Sequence, residues 1–186
     1  PGPAFDDFVS IKNDHLRQAA GMASLFYWYV TSNDNTYPFN WVMRHRKEGR
    51  KDQLVTRDEK QQPFIHTGKF TPYGNMMLMM SKMKKSRIDS KTSSTIIEGK
   101  GLYSLATSDA SGVSVMVWNY QGKNAEGFNV VVKVENLPVT LRNKKLSVKI
   151  YRIDRNTSDY HTNLENCNLQ LVDEKTVSIE GAFNTN

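Results

Sequence analysis

One run of bulky side chains constrains the fold of this chain more than any other feature. Residues 26–30 read FYWYV, five large apolar or aromatic side chains in succession, and the polar stretch TSND follows directly. A strand that is buried on both faces of a parallel sheet has this continuous apolar composition and stops at a polar loop. We therefore predict a buried parallel strand here, in which Tyr29 and Trp28 point to opposite faces.

A helix is predicted immediately before this strand. In residues 13–23, Asp14 can cap the first turn and apolar side chains recur on one helical face. A helix that leads straight into a buried strand is typical of an α/β arrangement. Residues 33–63 then form a long, polar and charged excursion with one apolar island at residues 37–43, and excursions of this length are often functional.

A second helix and then a series of strands are predicted downstream. Thr71 suits the N-cap and Pro72 the first helical position of a methionine-rich helix, which we expect to be largely buried and to end at about residue 85. Farther along, valines alternate between turn sequences, as they do in the short strands of an antiparallel sandwich. The predicted strands are residues 101–107, 113–119, 128–135, 146–152, 169–172 and 176–182. The predicted fold class is therefore α/β plus all-β, with the α/β portion in residues 1–88 and an antiparallel β-sandwich in residues 89–186.

Composition excludes several kinds of partner and site. The formal net charge is +6, but the basic residues are scattered or lie at a predicted helix end, so we expect a solvated surface and no nucleic-acid partner. No apolar run is long enough to span a bilayer, and no membrane partner is expected. Because Cys167 is the only cysteine, we expect no intrachain disulfide. The four histidines lack the spacing of metal ligands, and we expect no metal and no cofactor. Asn156, Thr157 and Ser158 match the acceptor triplet for N-glycosylation, which by itself is a weak signal.

Several segments in a fixed order resemble a known family. The segment PFIHTGKFTPYGNMMLMMSKM, residues 63–83, precedes the predicted sandwich, which contains VMVWN at residues 115–119 and YRID at residues 151–154 with Ser158 nearby. These segments resemble the C-terminal part of glycoside hydrolases of the β-xylosidase/α-L-iduronidase type. In that family the last strand and helix of a (β/α)8 barrel lead into a β-sandwich. The resemblance covers most of the chain.

The resemblance implies a division of the chain and the loss of its catalytic centre. Residues 1–88 would be the C-terminal portion of a TIM-barrel catalytic domain, and residues 89–186 an accessory β-sandwich. The enzymes are retaining and need two glutamates about 5 Å apart, which in the family lie upstream on the fourth and seventh barrel strands. The helix at residues 13–23 would follow that seventh strand. We therefore expect a fragment without catalytic residues, inactive alone, in keeping with the absence of an initiator methionine before Pro1.

The resemblance also assigns candidate substrate-binding residues. Trp28 matches an aromatic residue on the family's eighth strand, at the floor of the sugar site, where an aromatic face stacks on a pyranose ring. The alternative for Trp28 is a plain core tryptophan. On the loop beyond, Asn33, Asp34 and Trp41 are further candidates for contact with a glycoside substrate. His66 either lines the same site or has a structural role.

Two functions remain open from the sequence. The chain is the C-terminal piece of a β-xylosidase-like glycoside hydrolase, or it is a non-catalytic carbohydrate-binding or structural β-sandwich module. In the first case its partner is the missing upstream half of the barrel, or the chain self-associates through its exposed aromatic strand. The resemblance favours an extracellular or periplasmic location. Trp118 is expected to be a core residue, with a carbohydrate-binding platform as the alternative.

Overall fold

Two helices and several small antiparallel sheets make up the part of the chain that the computed structural model describes. The described residues are 15–32, 55–57, 66–121, 127–159, 163, 165–178 and 183–185. The helices are α1 (His15–Thr31) and α2 (Pro72–Met80), and a 3₁₀ turn spans Val139–Leu141. The strands are β1 (Val55–Arg57), β2 (His66–Phe70), β3 (Ser86–Ile88), β4 (Gly101–Asp109), β5 (Gly112–Tyr120), β6 (Val132–Val134), β7 (Lys145–Arg152), β8 (Gln170–Ser178) and β9 (Phe183–Thr185).

The described strands pair antiparallel throughout. β3, β4 and β5 form a three-stranded sheet in that order, and the remaining strands form the pairs β1–β2, β6–β9 and β7–β8. A tight turn closes the β4–β5 hairpin, where Asp109 Oδ1 accepts hydrogen bonds from the Ser111 backbone N–H at 2.7 Å and hydroxyl at 2.6 Å. The predicted combination of helices with sheets is confirmed at this coarse level.

The strand predicted at residues 26–30 is wrong, because the aromatic run continues α1. Buried positions follow a helical spacing, with Ala19, Ala23 and Phe26 all less than 9% exposed, whereas Val30 is 49% exposed. A strand buried on both faces would have covered Val30 as well. Since no glycine or proline interrupts residues 22–31, the helix predicted for residues 13–23 extends through the aromatic run.

The polar residues after the aromatic run end this helix rather than a strand. Thr31 Oγ1 donates to the Tyr27 carbonyl at 2.6 Å, and the Ser32 backbone N–H donates to the Trp28 carbonyl at 2.9 Å. The Ser32 bond satisfies a carbonyl of the last helical turn, and the Thr31 hydroxyl adds a second donor to the Tyr27 carbonyl. The abrupt change from apolar to polar sequence therefore marks a helix terminus.

Helix α2 begins as predicted and ends earlier. The Thr71 hydroxyl accepts a hydrogen bond from the Gly74 backbone N–H at 3.0 Å, and Pro72 occupies the first turn. The helix stops at Met80 instead of residue 85, and its first half is more deeply buried than its second. Met76 is 2% exposed, while the methionines that follow it are half-buried and pack against the same core.

Three of the six predicted strands need adjustment, and the three that correspond to β4, β5 and β7 do not. The strand predicted at residues 128–135 shrinks to the three residues of β6. The two segments predicted at residues 169–172 and 176–182 join into β8, and β9 follows as a separate strand. Asp173, Glu174 and Lys175 lie outside both predicted strands. An exposed edge of a sheet accommodates such charged side chains, and Glu174 pairs with Lys149 of β7 at 3.3 Å.

One hydrophobic core joins both helices to one face of the β4–β5 hairpin. The predicted boundary after residue 88 lies at the end of β3, which pairs with β4, and the core includes residues from both sides of it. The division into two domains therefore stays a prediction. The buried members of the core are Ala19, Ala23, Phe26, Tyr73, Met76, Tyr103, Leu105, Met116, Trp118 and Tyr120.

Candidate functional site

Trp28, the predicted sugar-site residue, lies on α1 beside an aromatic cluster. Its Nε1 donates to the Tyr103 hydroxyl at 3.3 Å, and that hydroxyl donates to the Gly99 carbonyl at 2.6 Å. Tyr27 meets the Trp28 ring edge-on, with centroids 5.6 Å apart. The placement of Trp28 on a barrel strand is thus corrected to a helix, whereas contact of its partly exposed ring with a sugar stays a prediction.

Trp118 is a core residue, as expected. Its ring stacks on Tyr103 with centroids 5.3 Å apart and planes only 8° from parallel. Its Nε1 donates to the buried Ser24 hydroxyl at 2.9 Å, and the side chain as a whole is 8% exposed. A carbohydrate platform needs an open ring face, so Trp118 does not serve as one.

Burial reinforces the neutral form of Tyr103 at the centre of this cluster. The residue is completely buried, and desolvation raises the pKa of its hydroxyl above the ordinary tyrosine value, while the hydrogen bond from Trp28 acts in the opposite direction. The hydroxyl therefore stays neutral at physiological pH and holds the Gly99 carbonyl. Its hydrogen bonds to Trp28 and Gly99 therefore give this hydroxyl a structural role.

The other predicted substrate-binding residues are not brought together in the part of the chain that is described. Asn33, Asp34 and Trp41 lie outside the described residues. His66 is the first residue of β2 and pairs with Arg57 of β1, and only its backbone is described. The sugar-binding floor expected from the sequence therefore stays a prediction.

A cleft of about 770 Å³ lies on the face of β4 and β5 that points away from the helices. Valines of β5 form one apolar wall, and residues 129–138 form the opposite side. Ser104 and Ser108 add hydroxyls to the floor, and the described lining residues include no aromatic ring. The alternating valines predict an antiparallel sandwich, whereas here two of them, Val115 and Val130, are 37% and 39% exposed.

A buried asparagine connects α2 to the segment between β7 and β8. Asn75 is fully buried, and its Nδ2 donates to the carbonyls of Ser158 at 2.8 Å and Cys167 at 2.7 Å. Ser158 Oγ in turn donates to the Arg152 carbonyl at 2.7 Å and accepts from the Gln170 backbone N–H at 2.9 Å. We call these five residues the polar joint.

The polar joint was missed from the sequence, although one signal was present. Asn75 is the only side chain with an amide in the methionine-rich helix, and a polar residue in so apolar a helix needs buried partners. The two carbonyls that receive Nδ2 fix the orientation of the amide. Its Oδ1 is buried and has no hydrogen-bond partner among the described residues.

Among the described residues, the cysteine is buried and no metal-ligand cluster is present. Cys167 is 1% exposed, and burial raises the pKa of its thiol, so the reactive thiolate is disfavoured. The described part of the chain contains no group of three potential metal ligands among histidine, cysteine, aspartate and glutamate. Neither described helix is long and apolar enough to cross a membrane.

Comparison of the chain with protein-family models, with curated proteins and with solved structures gives no match.

Proposed function

We propose that this chain is a non-catalytic C-terminal part of a retaining, β-xylosidase-like glycoside hydrolase. The observation that carries the proposal is the polar joint. Asn75 lies in the TPYGNM portion of one segment that resembles the family, and Arg152 and Ser158 belong to the YRID…S segment. Two segments that resemble the same family are thus tied to each other by buried hydrogen bonds, as expected if they form the connection between a terminal barrel helix and an accessory sandwich.

The carboxylates of the described residues support a non-catalytic role. Several take part in ion pairs at the surface, among them Glu165 with Lys69 at 3.2 Å and Glu174 with Lys149 at 3.3 Å. Asp89 and Glu135 line the cleft, and both are exposed. A retaining pair instead holds the sugar between two carboxyl groups in a sheltered site.

The partner implied by this proposal is the upstream barrel half, and the substrate of the assembled enzyme is a glycoside. Self-association through an exposed aromatic strand is no longer proposed, because the aromatic run is helical and Phe26 is 7% exposed. Trp28 would contribute to the sugar-binding floor from its partly exposed ring. The predicted extracellular or periplasmic location belongs to the same proposal.

An activity assay with matched variants tests the proposal. Purified chain is incubated with aryl β-xylosides and related aryl glycosides, and the expected result is no turnover above that of a buffer blank. Asp89→Asn and Glu135→Gln, alone and together, are the controls for catalysis in the cleft. Turnover that copurifies with the chain and disappears in the double variant would overturn the proposal.

A carbohydrate-binding module is the second candidate, and the cleft is the observation that favours it. Its hydroxyl-bearing floor can hydrogen-bond a sugar, although the described lining has no aromatic ring to stack on one. Titration with xylo-oligosaccharides in a calorimeter separates the two candidates. Binding that is lost in Val115→Asp but kept in Trp28→Ser would favour the cleft module, and the first proposal expects no such pattern.

A further inference from the structure

The turn between β7 and the polar joint presents Asn156 to solvent. Asp154 and Thr157 exchange backbone hydrogen bonds of 3.0 and 3.2 Å, which leaves Arg155 and Asn156 at the tip of a two-residue turn. The Asn156 backbone N–H donates to Asp154 Oδ1 at 2.8 Å, and this bond fixes the turn. Asn156 is exposed, and the structure shows no hydrogen bond of its side-chain amide to another described residue.

The third residue of the acceptor triplet lies in the opposite environment. Ser158 is 1% exposed and adopts a left-handed backbone conformation with φ +58°. Its hydroxyl donates to the Arg152 carbonyl and accepts from the Gln170 backbone N–H, so both of its hydrogen-bonding functions are used within the polar joint. The acceptor triplet is defined by an asparagine amide and a hydroxyl two residues later. Folding leaves the Asn156 amide exposed and buries the Ser158 hydroxyl.

We propose that Asn156 is an N-glycan acceptor site that is modified most readily before the polar joint closes. A turn tip accommodates a bulky glycan without displacing packed side chains, so the modified chain can still fold. Once the joint has closed, the Ser158 hydroxyl is unavailable to a transferase unless its hydrogen bonds to Arg152 and Gln170 open locally. Modification and folding of this segment are therefore ordered in time.

The transfer itself conserves atoms and electrons without a redox partner. The Asn156 side-chain nitrogen forms a bond to the anomeric carbon of an oligosaccharide carried on a lipid diphosphate. The bond from that carbon to the phosphate oxygen breaks, and the lipid diphosphate leaves with the electron pair. The proton of the amide nitrogen passes to a base of the transferase.

Secretion of the full chain tests whether the site is used. The chain is fused to a cleavable signal peptide and expressed in cells that contain the transferase, and its mass is measured before and after digestion with a glycan-removing amidase. We expect one glycan, conversion of Asn156 to aspartate by the amidase, and complete loss of the glycan in Asn156→Gln. As a matched control, Lys145→Ser completes a second acceptor triplet that begins at the exposed Asn143.

Two results would overturn the proposal. The first is a secreted Lys145→Ser chain that carries a glycan at Asn143 and none at Asn156. The second comes from purified transferase and a lipid-linked oligosaccharide in vitro, where we expect Asn156 in the folded chain to react at least about tenfold more slowly than in a peptide of residues 150–162, because reaction requires local opening. Equal rates in the folded chain and the peptide would contradict the order of modification and folding.

Discussion

The two faces of the β4–β5 hairpin carry similar amounts of apolar sequence and differ in exposure along β5, whereas Leu102 and Ala106 of β4 are buried although they line the cleft. On one face Tyr103 and Trp118 stack under α1 and are 0% and 8% exposed. On the other face Val115, which lies directly opposite Ala106 in the register, is 37% exposed and lines the cleft. Period-two alternation therefore predicts that a strand has two faces, but not which element covers each of them.

The largest expected difference between the two faces comes from truncating one residue on each. Trp118→Ala removes a stacked ring and a buried hydrogen bond, and we expect it to lower the free energy of unfolding by about 3–5 kcal/mol. Val115→Ala, three positions away on the same strand, should lower it by less than about 1 kcal/mol, because the side chain is already partly hydrated. Urea denaturation followed by far-UV circular dichroism measures both values. Similar losses in the two variants would mean that the cleft face is closed in solution.

A second test concerns the polar joint, which holds α2 to the β7–β8 segment. Asn75→Ala leaves the Ser158 and Cys167 carbonyls without their buried donor, so the free energy of unfolding should fall by about 2 kcal/mol. The control is Asn129→Ala, which changes an exposed asparagine and should have an effect within about 0.5 kcal/mol. The same denaturation assay applies. An Asn75→Ala variant as stable as its control would show that the polar joint does not stabilise the fold.

Tyr103→Phe tests the core face of the hairpin through the pH dependence of the free energy of unfolding. At neutral pH the variant loses the hydrogen bond to the Gly99 carbonyl, and we expect a loss of about 1 kcal/mol. Because the folded-state pKa of Tyr103 is raised above the ordinary tyrosine value, its stabilising contribution is present below that ordinary value and is lost as pH rises through the raised pKa. The wild type should therefore lose more stability than Tyr103→Phe between neutral and strongly alkaline pH. Parallel alkaline curves would show that this hydroxyl is not desolvated.

The smallest expected effect lies on the cleft face. Val115→Thr adds a hydroxyl where water already reaches the side chain, so we expect a change in the free energy of unfolding of less than about 0.5 kcal/mol. The matched change on the core face is Met116→Thr, which buries a hydroxyl at a position that is 4% exposed and should be clearly destabilising. Thermal melts of the two variants suffice for the comparison.

The sequence predicted those elements whose local signals agree with their tertiary packing. The Thr71–Pro72 start of α2 and the valine alternation of β5 are local, and both were read correctly. The strand prediction for the aromatic run is wrong because composition alone does not separate a buried strand from a helix. The helical spacing of Ala19, Ala23 and Phe26 continues past residue 23 and indicates the helix. The polar joint depends on residues 83 and 92 positions apart, so no local pattern reveals it.

Native-state hydrogen exchange tests most directly the claim that α1 and the β4–β5 hairpin share one core. Amide exchange is measured across the described residues at increasing denaturant concentration. The account predicts that amides of residues 23–31 and of β4 exchange through the same opening, with equal free energies and equal denaturant dependence, and that Trp118→Ala lowers both together. The opposite result would contradict a shared core. In that case β4 stays protected, while residues 23–31 exchange fast, independently of denaturant and without any effect of Trp118→Ala.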